Sequence, residues 1–151
     1  MEFVKEMVTL CQKADIIVPN ITEACFLLNR PYLESYTKAD IEALLNDLAN
    51  LGIPQVVLTG VKFKDNELGV ASFTKATGEI NYYFREEVPY SFHGTGDIYA
   101  SCFFGALMND FNLQESMKIA VDFTVDAILK TVEDRNEHWY GVHFESVIPN
   151  L

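Results

Sequence analysis

The clearest chemical signal in the 151-residue sequence is the tetrapeptide Gly94-Thr95-Gly96-Asp97, which directly precedes a long apolar stretch. Apolar positions after it recur at helical spacing, so a helix is predicted to begin near Thr95. A glycine-containing turn at a helix N-terminus leaves backbone N–H groups free to bind an anion, and the helix dipole adds positive potential there. The tetrapeptide is therefore predicted to bind phosphate.

Asp97 falls in the first turn of that helix, beside the predicted phosphate site. A carboxylate there could accept the proton of an attacking hydroxyl during phosphoryl transfer, a reaction in which positioning and charge neutralisation carry most of the catalysis. A purely structural interpretation also exists, in which Gly94 permits a tight turn and Asp97 favours the positive end of the helix dipole. The tetrapeptide alone leaves both interpretations open.

Two further polar groups follow predicted buried strands. Asn20 and Glu23 come directly after the apolar run at 16–18, and Thr59 ends the β-branched run that begins at 55. Open α/β sheets bind ligands at the carboxyl ends of their strands, so these side chains are candidates for phosphate contacts. Structural alternatives remain, because Asn20 with Glu23 also fits a reciprocal helix N-cap and Thr59 fits a strand-terminating turn.

The elements that must position these groups follow from hydrophobic periodicity and turn residues. Helices are predicted over 2–13, from a capping box at 37–40 to 52, from 95 onward, and over 113–128. Strands are predicted at 16–18, 55–59, in a hairpin of 70–74 with 80–85, and at an edge over 142–148. Strands alternating with helices indicate an α/β fold with a mostly parallel sheet and helices on both faces.

The acidic composition limits the classes of ligand that the protein is expected to bind. Asp and Glu number 22 against 11 Lys and Arg, a net charge of -11, which does not suit nucleic-acid binding. A protein of this charge that handles ATP must neutralise the triphosphate locally, which predicts Mg²⁺ where carboxylates meet the nucleotide. No apolar run reaches the roughly 18 residues of a membrane span and no signal sequence is recognised, so we expect a cytoplasmic protein without membrane partners.

Three segments together resemble the ribokinase-like superfamily, and within it the pyridoxal and pyridoxamine kinases. They are ADIIVPNITEA at 14–24, VLTG at 57–60 and HGTGD at 93–97. The resemblance implies a three-layer α/β fold and ATP-dependent phosphorylation of the 5'-hydroxymethyl group of a B6 vitamer. The alternative within the superfamily is the hydroxymethylpyrimidine (phosphate) kinase of thiamin synthesis, which shares PN-x-x-EA but commonly has Cys at the position of Asp97.

The resemblance also implies roles for the phosphate-site residues. Asp97 would be the catalytic base that acts on the 5'-hydroxymethyl group. Gly94, Thr95 and Gly96 would form the anion hole for the γ-phosphate. Thr59 would touch the ATP phosphates. The tetrapeptide thereby becomes a catalytic element as well as a binding turn.

Four other residues receive roles from the same resemblance. Asn20 and Glu23 would organise Mg²⁺ and the phosphates, mostly through water. Phe92 would border the adenine and His93 would face the vitamer. The structural alternatives are ordinary core packing for Phe92 and a plain loop position for His93.

Members of the superfamily have an additional N-terminal half that supplies most of the vitamer contacts. The resemblance therefore implies that residues 1–151 are the C-terminal, nucleotide-binding half of a single ribokinase-like domain, with the N-terminal half absent. We expect such a chain to carry the ATP site and the catalytic base but to be inactive alone, so a non-catalytic nucleotide-binding fragment is a further alternative. Full-length members are commonly homodimers.

Overall fold

The computed structural model describes residues 2–90, 92–133 and 141–150. The chain divides after Tyr82 into two compact units. The elements, in chain order, are α1 (Glu2–Cys11), β1 (Ile16–Ile17), α2 (Ile21–Leu28), α3 (Lys38–Asn50), β2 (Gln55–Val61), β3 (Glu67–Thr74), β4 (Glu79–Glu86), α4 (Thr95–Met108), α5 (Leu113–Glu133) and a closing 3-10 turn (Ile148–Asn150).

The sheet has the strand order β1-β2-β3-β4. Strand β1 runs parallel to β2, and β2 runs antiparallel to β3 with Val57 opposite Ser72. The register shifts between Thr59 and Val61, where Gly60 has a φ of 77°. The predicted α/β class and the β3–β4 hairpin are confirmed, and among the described strands the parallel pairing is that of β1 with β2.

The first unit is organised by β2 and by the helix that covers it. The apolar run Val56–Leu58 is fully buried, as expected for a strand that is covered on both faces. Helix α3 packs on β2 and β3 through a face that includes the fully buried Leu45 and Leu48. It begins at a capping box in which the Thr37 N–H donates to Asp40 Oδ2 over 2.8 Å, so the predicted start of this helix is confirmed.

The second unit is built on α4 and α5, which pack against each other over much of their length. Phe103 of α4 and Met117 and Ala120 of α5 are buried, as predicted from their helical spacing. Phe104 and Met108, two other apolar residues predicted to lie on the packed face of α4, are instead 60% and 64% exposed, and the face that packs includes Ala106. The described helices include none with the length and hydropathy that a membrane span requires.

The predicted edge strand at 142–148 is wrong. This segment forms turns in which the N–H of Phe144 donates to the carbonyl of Val142 over 3.1 Å and that of Val147 to Phe144 over 3.0 Å. The backbone N–H of His143 is bound by a side chain, since it donates to Thr131 Oγ1. Local turns and one threonine hydroxyl therefore replace the strand ladder at these positions.

Candidate active site

The turn before α2 brings together Asn20 and Glu23 in a reciprocal cap. Asn20 Oδ1 accepts the N–H of Glu23 over 2.8 Å, and Glu23 Oε2 accepts the N–H of Asn20 over 2.9 Å. Two of the four N–H groups that a helix start leaves without acceptors are satisfied in this way. The helix-cap interpretation of these residues is confirmed as local structure.

Thr59 lies beside this cap. Its backbone N–H donates to the carbonyl of Pro19 over 2.9 Å, and Thr59 pairs with Asn20 in an isolated parallel bridge. The Thr59 hydroxyl is 3.5 Å from the same carbonyl. Asn20, Glu23 and Thr59 therefore form one polar group where the chain leaves β1, as expected for the carboxyl ends of two parallel strands.

Glu23 keeps one carboxylate oxygen for other partners. Its Oε1 makes no hydrogen bond within the described part of the chain, and the side chain is exposed. Among the described residues, no three His, Cys, Asp or Glu side chains lie together in a way that could hold a metal ion. A cation at Glu23 would therefore take most of its ligands from water or phosphate, which is how Mg²⁺ is usually bound beside nucleotides.

The start of α4 has a different construction. Its N-cap is Gly94, with φ 85° and ψ -2° and no hydrogen bond from a capping side chain. The Gly94 carbonyl accepts the N–H of Ile98 over 3.0 Å. The N–H groups of Thr95, Gly96 and Asp97 precede this first intrahelical donor and have no carbonyl partner within the helix. These three donors and the positive end of the dipole suit an anion as ligand.

Thr95 and Gly96 contribute to this site in different ways. The Thr95 hydroxyl donates to the carbonyl of Phe92 over 2.7 Å, so its side chain closes the turn. A Cβ added at Gly96 would meet nothing within 4 Å. Gly96 is therefore not required by packing within the chain, and the open space above it suits the close approach of an anion.

Asp97 is exposed and, among the described residues, makes no hydrogen bond or ion pair. It lines a cleft of about 940 Å³ between α4, α5 and the segment 144–148. A carboxylate without a protein partner at an open cleft can accept a proton from a ligand. Asp97 and Gly94–Gly96 lie in the second unit, and Asn20, Glu23 and Thr59 lie in the first.

Phe92 and His93 occupy contrasting positions. Phe92 packs against a buried cluster in the second unit, which is the geometry of the core-packing alternative. His93 is exposed, and its carbonyl lies near Gly141, where an added Cβ would stand 3.8 Å away. The loop before the anion site is thus anchored through Phe92.

Sequence reasoning missed the far wall of the cleft, which includes Asp122 and Asp126 of α5. The Asp122 carboxylate accepts hydrogen bonds from Arg85 over 2.6 Å, Lys118 over 2.7 Å and the Tyr83 hydroxyl over 2.8 Å. Burial acts to raise the pKa of Asp122, but these hydrogen bonds outweigh it and lower the pKa. In the sequence, the spacing of four residues between the charged side chains of α5 could have indicated this group of ion pairs.

Residues 1–141 match the model of the phosphomethylpyrimidine kinase family. The chain belongs to this family. A provisionally named phosphomethylpyrimidine kinase from Bacteroides thetaiotaomicron has a similar structure, with 30% identity and a TM-score of 0.92 over 99% of this chain and 51% of the other. Pyridoxal kinase from Lactobacillus plantarum is 27% identical, with a TM-score of 0.87 over 99% of this chain and 53% of the other.

A pyridoxal kinase from Bacillus subtilis, solved as an ADP complex, is 24% identical with a TM-score of 0.72 over 84% of this chain and 47% of the other, and shares the fold. The comparison with curated proteins finds no match. The predicted ribokinase-like fold is confirmed. The chain spans about half the length of the solved relatives, at 51% and 53% of the first two.

Proposed function

We propose that this chain supplies the nucleotide site and the catalytic base of an ATP-dependent kinase that phosphorylates the 5'-hydroxymethyl group of pyridoxal, pyridoxine or pyridoxamine. The observation that carries the proposal is the start of α4. A helix N-terminus without a capping side chain is followed within its first turn by Asp97, whose carboxylate has no partner among the described residues.

The chemistry follows from this arrangement. The N–H groups of Thr95, Gly96 and Asp97 bind the γ-phosphate and stabilise the charge that its oxygens carry in the transition state. Asp97 accepts the proton of the attacking hydroxyl as the new oxygen–phosphorus bond forms. The bond from the γ-phosphorus to the β,γ-bridging oxygen breaks, and ADP leaves with that oxygen.

The polar group of the first unit is proposed to serve the nucleotide. Glu23 would hold Mg²⁺ through water with its free oxygen, while Asn20 would help to order the phosphates and Thr59 would touch them through its hydroxyl. A magnesium ion held there would supply positive charge that neutralises the phosphates. An exposed carboxylate that has only one occupied oxygen fits this role, since Mg²⁺ keeps several of its waters.

Two relatives support a B6 vitamer as the substrate. The Bacteroides protein, 30% identical to this chain, also has a crystal form with pyridoxal, and the Lactobacillus protein is a pyridoxal kinase. The presence of Asp97 where the thiamin-pathway enzymes commonly have Cys favours the same substrate. Hydroxymethylpyrimidine (phosphate) is the second candidate, and the description of the matching family favours it.

The assignments of Phe92 to the adenine and of His93 to the vitamer stay predictions. So do the interpretation of residues 1–151 as the C-terminal, nucleotide-binding half of one domain, a cytoplasmic location and a homodimer of the complete gene product. We propose that the 151 residues alone bind Mg-ATP without turnover. Isothermal calorimetry on the 151-residue chain tests this, because turnover by that chain or failure to bind Mg-ATP would contradict it.

A coupled kinase assay on the complete gene product tests the reaction. ADP release is measured with pyridoxal, pyridoxine, pyridoxamine and hydroxymethylpyrimidine as acceptors, beside the variant Asp97→Ala. We expect the B6 vitamers to be phosphorylated fastest and the variant to be almost inactive. Preference for hydroxymethylpyrimidine would support the second candidate, and equal rates for the two proteins would remove Asp97 from the chemistry.

A further inference from the structure

One apolar cluster anchors the anion site on both of its sides. Phe92 precedes Gly94, Ile98 follows Asp97, and both pack against this cluster. Its buried members are Phe123, Ala127, Val142 and Val147. The position of the turn that presents the N–H groups therefore depends on how these four side chains are held.

Half of the cluster belongs to α5, and the other half to the segment 142–147. The segment has no strand partner in the described structure, and a hydrogen bond attaches it to α5: the N–H of His143 donates to Thr131 Oγ1 over 2.8 Å. Thr131 is 1% exposed, and its own hydroxyl hydrogen goes to the carbonyl of Ala127 over 2.7 Å. The Thr131 side chain therefore connects the segment 142–147 to α5 at Ala127, which is a member of the cluster.

From this arrangement we infer that Thr131 is a positioning residue for the anion site at Gly94–Asp97. It acts indirectly, by holding Val142 and Val147 against α5. These two side chains fix the position of Phe92, and Phe92 in turn fixes the position of the turn. The Thr95 hydroxyl transmits this position, because it donates to the carbonyl of Phe92 over 2.7 Å. The inference rests on the proposed function, since it assigns to Thr131 a part in phosphate binding.

Helix α5 also contains a matched control. Thr124 lies seven residues before Thr131, is 8% exposed and donates its hydroxyl to the carbonyl of Ala120 over 2.7 Å. Among the described residues it has no hydrogen bond to another element. Replacement of either threonine by valine removes the same bond within the helix, but only Thr131→Val removes an acceptor from another segment.

The test compares Thr131→Val, Thr131→Ser and Thr124→Val in the 151-residue chain. Hydrogen exchange is followed at the amide of Ile98, which donates to the Gly94 carbonyl, with the amide of Val121 as a reference for the stability of α5. We expect exchange at Ile98 to become about tenfold faster in Thr131→Val, the effect of losing one buried hydrogen bond, and less than about twofold faster in the other two variants. Mg-ATP affinity, measured by calorimetry, should fall in parallel.

Equal effects of Thr131→Val and Thr124→Val, or an unchanged Ile98 amide in Thr131→Val, would overturn the inference. If the valine variant does not fold, Thr131→Ala removes the same hydroxyl without added bulk and is subject to the same criterion. Exchange at Ile98 does not require a nucleotide. If the unaltered chain fails to bind Mg-ATP while Thr131→Val still speeds exchange at Ile98, the proposed function fails and the structural coupling stands.

Discussion

Helices α2 and α4 both have an acidic residue in the first turn and use it differently. Each has an acidic residue three positions after its N-cap, Glu23 in α2 and Asp97 in α4. Asn20 caps α2 from extended backbone, and Glu23 folds back onto it. Gly94 caps α4 from the left-handed region and has no side chain to accept the N–H of Asp97, and among the described residues the Asp97 carboxylate does not accept the N–H of Gly94 either.

The difference concerns which polar groups at a helix start remain available to a ligand. A reciprocal cap consumes two backbone donors and one carboxylate oxygen, which stabilises the helix by about 0.5–2 kcal/mol. The glycine cap forgoes this gain, and it leaves three N–H groups and a whole carboxylate accessible. In this chain α2 has a self-capped start, whereas α4 leaves available the groups that the proposed phosphate binding and proton transfer require.

The largest difference between the two helix starts is expected when the acidic residue of each is neutralised. Asp97→Asn should lower the rate of phosphoryl transfer by about 10²–10⁴-fold, because the general base is lost while the turn is kept. Glu23→Gln should have a much smaller effect, because an amide oxygen still accepts the N–H of Asn20 and completes the cap, and the proposed contact to Mg²⁺ through water is weakened but no proton-accepting group is lost. Steady-state rates of the complete gene product measure both, and similar losses in the two variants would contradict the distinction.

The second prediction concerns the backbone of the α4 cap. Gly94→Ala should destabilise the chain by about 1–2 kcal/mol, since alanine at a φ of 85° is strained. Gly96→Ala is the control, because its Cβ meets open space and alanine is favoured in a helix. Thermal denaturation should separate the two variants, and calorimetry with Mg-ATP should show weaker binding in both. A Gly96→Ala chain that binds Mg-ATP normally would argue against phosphate at this turn.

The third prediction concerns the α2 cap. Asn20→Ala should cost about 1 kcal/mol of folding free energy, because the N–H of Glu23 loses its acceptor. The exposed neighbour Thr22, replaced by alanine, is the matched control and should change stability little. Urea denaturation followed by circular dichroism gives both values. No loss in Asn20→Ala would show that the capping box contributes little to α2.

The smallest expected effect is at α3, whose start repeats the α2 construction. Hydrogen bonds from the hydroxyl and the N–H of Thr37 lower the pKa of Asp40. A carboxyl whose pKa is lower in the folded state stabilises the fold above its unfolded pKa of about 3.9, and this stability is lost as the pH falls toward the folded value. Carboxyl NMR titration should show the pKa of Asp40 rising in Thr37→Ala, and an unchanged pKa would refute the assignment.

Local sequence was sufficient for much of this molecule. The Thr37–Asp40 box, the buried run at Val56–Leu58 and the helix that starts at Thr95 depend on residues only a few positions apart, and each is present. The segment 142–148 was predicted wrongly because its apolar residues suggested a strand. The contacts that decide its conformation are made with α5, at Thr131, and with Phe92, far away in the sequence.

The sequence by itself determined the helix starts, the buried strands and the glycine turn with its carboxylate, because glycine conformation, capping and hydrophobic spacing act over a few residues. Only the tertiary structure decided that Asn20 pairs with Thr59, that Asp97 opens onto a cleft, and that Phe92 packs against a cluster formed by α5 and the segment 142–147. These features depend on the packing of side chains from separate elements. No local pattern specifies which surfaces will meet.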